Sequence, residues 1–123
     1  MSGPASGASV WLFSDDLIFA RRIAAAVVPH SVPFHRIGEA DLDRLPMHRG
    51  LLILDLDKGI DLLGRAISHA RLAGPDEWHV CGYGAHIDAA GLLALRRAGA
   101  DRITSRSQLL RDLQSIIRES IRR

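Results

Sequence analysis

The sequence has one cysteine, one lysine, few aromatic residues and no long apolar run. A single cysteine, Cys81, excludes an internal disulfide. The six histidines show no pairing at helical spacing, so a zinc site is not expected. No apolar run approaches the roughly 20 residues that a membrane-spanning helix needs. The opening residues also lack the basic start and apolar stretch of a secretion signal. These absences favour a cytoplasmic protein without membrane contact.

Arginine supplies nearly all of the positive charge, since Lys58 is the only lysine among 16 basic residues. The formal net charge of +2 is too small to indicate nucleic-acid binding by itself. The charge is unevenly distributed along the chain. Residues 1–83 carry 8 basic and 10 acidic groups, whereas residues 84–123 carry 8 and 4. The C-terminal third is therefore the basic part of the chain.

Short apolar runs alternate with segments of helical periodicity along the chain. We expect one domain, residues 9–123, after a flexible lead of residues 1–8 that is rich in Ser, Gly and Ala. Strands are predicted at residues 10–14, 31–37, 51–56, 77–83 and 101–104, and helices at 16–28, 39–45, 59–74, 88–98 and around 109–117. Five strands alternating with five helices predict a doubly wound α/β fold, with a parallel sheet covered on both faces.

Charged residues follow several of the predicted strands. Asp15 and Asp16 follow the first strand, Asp55 and Asp57 belong to the end of the third, and Arg106 follows the fifth. Because the carboxyl ends of parallel strands meet at one edge, the topology gathers these side chains. Clustered carboxylates repel one another unless a cation neutralises them, and carboxylate oxygens suit Mg²⁺. The alternative is that each acid only caps a strand or a helix N-terminus.

The stretch "LLILDLDKG", residues 51–59, delivers acids from a buried strand, as phosphoryl-transfer enzymes do. Haloacid-dehalogenase phosphatases carry a D-x-D-G-[TV] box there. In this chain "DLDKGID" has no Thr or Val after the glycine, and the acids lie on the third strand rather than near the start. The sequence therefore argues against that family. A small Mg²⁺-dependent phosphohydrolase that uses Asp55 as nucleophile stays as a distant alternative.

Three segments resemble the receiver domains of response regulators, in the same order and spacing. They are "FSDDLIFARRIAAAV", "GLLILDL" and "LRRAGADRITSRS", and the likeness covers nearly the whole chain after residue 8. The resemblance implies a flavodoxin-like sheet of strand order 2-1-3-4-5, with two helices on one face and three on the other. It also implies that Asp15 and Asp16 bind Mg²⁺, that Asp55 accepts a phosphoryl group from a histidine kinase, and that the main-chain carbonyl of Asp57 is a metal ligand.

The sequence departs from the receiver pattern at the residues that respond to phosphorylation. Gly84 stands where the family has Thr or Ser, Arg106 where it has lysine, and Ile103 where it has the switch aromatic residue. Ser107 replaces the usual proline, and the loop after Asp55 is about four residues shorter than the family's. We therefore predict an atypical or pseudo-receiver that stands alone. It is expected to be non-enzymatic and to signal through protein contacts with weak or no phosphorylation. A phosphoacceptor that uses Asp55 is the alternative.

The segment "CGYGAHI" places two glycines at a strand end, where backbone amides can hold a phosphate. The dinucleotide-binding pattern would need a third glycine at residue 87, where the chain has Ile87. We interpret Gly82 and Gly84 as residues of a tight turn with positive φ.

Arginines of the C-terminal third indicate a contact surface. In receivers, the face made by the fourth helix, fifth strand and fifth helix commonly carries dimerisation and output contacts. We predict self-association or an acidic protein partner at this face, centred on Arg96, Arg97 and Arg111. Nucleic acid is less expected because a phosphate-binding surface usually has a larger basic excess. The alternative is a solvated helix face with local ion pairs.

Overall fold

The computed structural model describes residues 8–45, 49–74, 76–84 and 88–122. Several sequence predictions lie outside these ranges. They concern the lead up to residue 7, the prolines at which the second and third predicted helices are expected to end (Pro46 and Pro75), Ala85 after the fourth predicted strand, Ile87, and Arg123 in the basic C-terminal third.

A five-stranded parallel sheet in the order β2-β1-β3-β4-β5 forms the centre of the described part of the chain. The strands are β1 (Ser9–Phe13), β2 (Phe34–Ile37), β3 (Gly50–Asp55), β4 (Trp78–Tyr83) and β5 (Arg102–Thr104). All six residues of β3 are buried, because this central strand is covered on both faces. The predicted parallel sheet and its strand order are confirmed.

The described residues include four α-helices: α1 (Leu17–Val27), α2 (Ile60–Arg71), α3 (Ala89–Ala98) and α4 (Arg106–Arg122). The predicted second helix is a 3-10 helix, Glu39–Arg44. Six residues provide too few hydrogen bonds to offset the cost of starting an α-helix. With this segment counted, the five predicted helices are present, and the predicted fourth and fifth helices are α3 and α4.

Two hydrophobic clusters fill the space between the sheet and the helices. On one face, α1 and α4 cover the sheet with Phe19, Ile23, Leu109 and Ile117 among their buried residues. On the other face lie the 3-10 helix Glu39–Arg44, α2 and α3, which contribute Leu42, Leu63, Ile67 and Leu95. Two helical segments therefore lie on one face and three on the other, as predicted.

The connection after β3 is short and shapes the carboxyl edge of the sheet. A single 3-10 turn, Leu56–Lys58, leads to Gly59, whose φ is 95°, and α2 begins at Ile60. Only a residue without a Cβ adopts that φ at low cost, which explains the glycine. The tight turn keeps Leu56 beside the end of β4, where it contacts residues 82 and 84.

Candidate functional site

Asp55 ends β3 and is buried, with 8% of its surface exposed. Its Oδ2 accepts a hydrogen bond from the Ser14 hydroxyl at 2.9 Å, and its Oδ1 accepts one from the backbone N–H of Asp57 at 2.9 Å. The Tyr83 hydroxyl in turn donates to Ser14 Oγ at 2.9 Å. Burial raises the pKa of Tyr83, so this hydroxyl keeps its proton and acts as a donor. The Asp55 carboxylate thus lies at the end of a chain of two hydroxyl groups.

Asp16 is held by a helix end and by an arginine. Its Oδ1 accepts from the backbone N–H of Phe19 at 2.9 Å, which caps α1, and its Oδ2 lies 2.6 Å from Nη2 of Arg106. The pKa of Asp16 is lowered from its usual value, first by the hydrogen bond from Phe19 and then by the charge of Arg106. Both oxygens of this carboxylate are therefore engaged by the protein itself.

Asp15 pairs with the only lysine of the chain. Lys58 Nζ lies 2.8 Å from Asp15 Oδ2, although the Asp15 side chain is 83% exposed. The same ammonium lies 4.8 Å from the centre of the Phe13 ring, and the Arg106 guanidinium lies 4.9 Å from the centre of the Phe19 ring. Each cation is thus placed by an aromatic face as well as by an acid.

The predicted magnesium ligands reach one edge of the sheet, but they do not form a shared metal site as they stand. Among the described residues, no group of three or more His, Cys, Asp and Glu side chains is placed to hold a metal ion. Lys58 and Arg106 supply the positive charge that a metal would bring to Asp15 and Asp16. These carboxylates do not fit Mg²⁺ in this arrangement. Binding through Asp15, Asp16, Asp55 and the Asp57 carbonyl stays a prediction.

Leu56 covers the two glycines at the end of β4. A Cβ added at Gly84 would lie 3.0 Å from Leu56 Cβ and 3.3 Å from its Cδ1, and one added at Gly82 would lie 2.9 Å from Leu56 Cδ2. The described glycines with positive φ are Gly59, Gly74 and Gly99, so the interpretation of Gly82 and Gly84 as positive-φ turn residues is wrong. Close approach of Leu56 is the physical reason for glycine at both positions.

A cavity of about 450 Å³ opens beside Asp55. Its lining residues are Asp55, Asp57, Tyr83, Gly84, Ser105, Arg106 and Ser107. The structure therefore brings together Asp55, Gly84 and Arg106, the three positions that the receiver resemblance marks as catalytic. Arg106 contacts Asp16 rather than taking the role of a lysine directed at Asp55.

Four residues of this site were not predicted from the sequence: Ser14, Tyr83, Leu56 and Lys58. Ser14 is a buried polar residue at the end of an apolar strand, and Tyr83 is the only tyrosine. A serine at the end of an apolar run and a single tyrosine are features of the sequence that could have indicated these two residues. The contact of Leu56 with the glycines was not visible, because it depends on the length of the turn after β3.

The three arginines of the predicted interface lie on elements that cover opposite faces of the sheet. Arg96 and Arg97 are exposed in the last turn of α3, and Arg111 is exposed on α4, where it donates to Gln108 at 2.9 Å. Between them, Arg102 of β5 lies 3.7 Å from Asp112. The basic surface therefore runs around the β5 edge rather than forming one flat patch.

No protein-family profile matches the sequence, and no curated protein sequence matches it. Among solved structures, the chain is similar to the solution structure of the beryllofluoride-activated NtrC4 receiver domain dimer, with a TM-score of 0.60 and 14% identity. The match covers 91% of this chain and 98% of that one. The fold is that of a receiver domain. At this identity the likeness is one of fold, and the roles of residues in this receiver-like fold rest on their own geometry. Within the described ranges, no helix is long and apolar enough to cross a membrane.

Proposed function

We propose that this receiver-like domain signals through protein contacts and does not depend on phosphorylation of Asp55. The observation that supports this most directly is the contact of Leu56 with Gly84. A receiver binds an oxygen of the phosphoryl group with a hydroxyl at this position. Here the side chain is missing, and a Cβ at this position would lie 3.0 Å from Leu56 Cβ, which is tighter than an ordinary van der Waals contact.

The energetic consequence of the missing hydroxyl is large enough to matter. A hydrogen bond to a charged group contributes about 1.5–3 kcal/mol, so its loss reduces the population of the phosphorylated state about tenfold or more. Asp55 also accepts two hydrogen bonds already, from Ser14 and from the N–H of Asp57. A phosphoryl group on either oxygen has to displace or reorient one of them. Both effects work against phosphorylation.

We propose that a protein partner or a second copy of the chain binds the arginine-rich surface around β5, which is centred on Arg96, Arg97 and Arg111. Arginine forms paired hydrogen bonds with carboxylates and is weakly hydrated, which favours an acidic partner or a second copy of the chain. The similar NtrC4 receiver domain is described as a dimer, which supports self-association as the first possibility to test. Partner binding in the cytoplasm is the setting expected from the sequence.

Intact-protein mass spectrometry after incubation with acetyl phosphate and Mg²⁺ tests the independence from phosphorylation. We expect at most a trace of protein heavier by one phosphoryl group, and Asp55→Asn is the matched control for labelling at other residues. Rapid, near-complete labelling that disappears in Asp55→Asn would contradict the proposal. Capture of the partner or of a second copy should be the same for Asp55→Asn and the unchanged protein.

A phosphoacceptor role for Asp55 is the second candidate, and the cavity beside this residue favours it. Asp55, Gly84 and Arg106 line one space of about 450 Å³ that is open to a phosphoryl donor. In that case an Asp55 oxygen would bond to the phosphorus of a phosphohistidine while the bond between nitrogen and phosphorus breaks. Complete labelling in the same mass-spectrometry experiment would favour this function.

A further inference from the structure

A second, apolar groove lies between α1 and the edge strand β2. Its volume is about 290 Å³, and its lining residues are Leu17, Ala20, Arg21, Ala24, Phe34 and Arg36. From Leu17 to Ala24 the groove follows α1 for about 10 Å, as seven residues of helix rise. The two alanines leave room for another backbone to approach, and the two arginines flank the apolar floor. The groove lies on the flank of α1 towards β2, whereas α4 packs on α1 from the side of β3.

Exposed apolar side chains are concentrated on this helix. Of the six large hydrophobic residues that are exposed in the described part of the chain, three belong to α1 or follow it directly: Leu17 at 59%, Ile18 at 78% and Val28 at 73%. The fold does not need them, because α1 is anchored in the core by Phe19 and Ile23. Leu17 is the one of these three that lines the groove, and an exposed apolar residue in a concave surface indicates a binding site more often than an isolated one does.

The walls of the groove carry two arginines that form no ion pair with an acid in the described part of the chain. Residues 17–38 contain three arginines and two histidines but no Asp or Glu. Arg21 has no ion-pair partner within the described residues, and Arg36 donates only to the main-chain carbonyl of Ser14, at 3.1 Å. By contrast, Arg65 and Arg71 pair with acids of their own chain. The groove therefore combines an apolar floor with two guanidinium groups that pair with no carboxylate among the described residues.

We propose that this groove binds an acidic segment of a protein partner. An apolar side chain of the partner lies on Leu17 and Phe34, and carboxylates on either side of it pair with Arg21 and Arg36. A protein segment fits better than a phosphate backbone because only a protein segment supplies an apolar side chain between two anionic groups. It fits better than a membrane because a concave groove does not match a flat lipid surface. This site is separate from the arginine-rich surface around β5.

Fluorescence anisotropy with a synthetic peptide tests the proposal. The probe is a fluorescein-labelled peptide in which one leucine and one phenylalanine are flanked on both sides by glutamates. The groove variant is Leu17→Ser with Arg21→Glu. The matched control is Leu72→Ser with Arg44→Glu, which makes the same changes at exposed residues outside both basic surfaces. We expect the groove variant to bind about tenfold more weakly or worse, and the control to stay within about twofold of the unchanged protein.

Amide chemical shifts locate the peptide and keep the test independent of how one variant folds. Shifts confined to Ala20, Ala24, Phe34 and their neighbours, reduced by the single change Arg36→Gln, would support the groove. Absence of saturable binding, or equal weakening in the groove variant and its control, would overturn the proposal. The proposal would also be overturned if a peptide with lysine in place of each glutamate bound as tightly as the acidic peptide. Phosphatidylserine vesicles and single-stranded DNA are run in parallel. Groove-dependent binding of either one, without binding of the acidic peptide, would assign the site to lipid or nucleic acid instead.

Discussion

Substitution of Gly84 by alanine tests the packing of Leu56 against the end of β4. The new methyl group would lie 3.0 Å from Leu56 Cβ, 3.3 Å from Cδ1 and 3.4 Å from Cγ, and the first two contacts are tighter than ordinary van der Waals contact. Overpacking of this kind typically costs about 1–3 kcal/mol. Replacing glycine also removes flexibility from the unfolded chain, which stabilises by about 0.4–1 kcal/mol where φ suits alanine. Gly84 is not among the positive-φ glycines, so this gain applies. The net expectation is a loss of about 1–2 kcal/mol in the free energy of unfolding.

Urea unfolding followed by tryptophan fluorescence measures that loss, and a double-mutant cycle assigns it to Leu56. Leu56→Ala removes Cγ and both Cδ atoms but keeps Cβ, so it relieves the tight contact with Cδ1 and leaves the one with Cβ. The Gly84→Ala penalty should therefore shrink, but not vanish, in the double variant. The coupling expected for residues in contact is about 0.5–3 kcal/mol.

The matched control is Gly64→Ala. Gly64 lies within α2, and a Cβ added there meets no atom within 4 Å. This change should stabilise the protein by up to about 1 kcal/mol, because alanine favours a helix over glycine. Stabilisation by Gly84→Ala, or the same loss of unfolding free energy with and without the Leu56 side chain, would refute the idea that Leu56 crowds the position of a side chain at residue 84.

Three further predictions concern the acids and the arginines. Ser14→Ala should lower the free energy of unfolding by about 1–3 kcal/mol, because it leaves buried Asp55 and Tyr83 without a shared partner. Tyr83→Phe should lower it by only about 0.5–1.5 kcal/mol. Urea unfolding measures both losses, and a larger loss for Tyr83→Phe would contradict the chain of hydroxyl groups. The lowered pKa of Asp16 means that its contribution to stability is present above its unfolded pKa near 3.8 and is lost as the pH falls through its lower folded pKa. Below pH 4, the free energy of unfolding of Asp16→Asn should therefore fall less steeply with decreasing pH than that of the unchanged protein. Equal slopes for the two proteins would contradict the stabilising role of the Asp16 carboxylate. Replacing Arg96, Arg97 and Arg111 with glutamate should abolish self-association or partner capture in light scattering and pull-down assays, with little change in melting temperature because all three are exposed. Unaltered association would move the interface elsewhere.

Local patterns in the sequence were sufficient to predict the strands, the helices and the parallel sheet. The unbroken apolar run of β3, the spacing of Phe19, Ile23 and Val27 on α1, and the alternation of strands and helices each follow from one buried face or stripe. The receiver resemblance added the strand order, which periodicity does not contain. The second predicted helix, residues 39–45, is a six-residue 3-10 helix because the segment is too short to offset the cost of starting an α-helix.

The carboxyl edge of the sheet was predicted less completely, since its contacts join residues far apart in the chain. The edge itself was expected to collect Asp16, Asp55 and Arg106, and it does so. The hydrogen bond from Ser14 to Asp55 spans 41 residues, and the ion pair between Asp16 and Arg106 spans 90. Such contacts depend on register and rotamers, which no local pattern encodes. Gly82 and Gly84 were misinterpreted for the same reason, because the atom that excludes a side chain there belongs to another element.

The single lysine of the chain makes the carboxyl edge of the sheet the one place where a reagent specific for side-chain amines can react. Lys58 carries the only side-chain amine in the sequence, and that amine lies against Asp15. Acylation of side-chain amines would therefore act at one position and would remove the charge that balances Asp15. Arginine-rich surfaces elsewhere would be untouched, because guanidinium groups do not react under the same conditions. One covalent change would thus alter the electrostatic balance beside Asp55 and leave both proposed binding surfaces chemically unchanged.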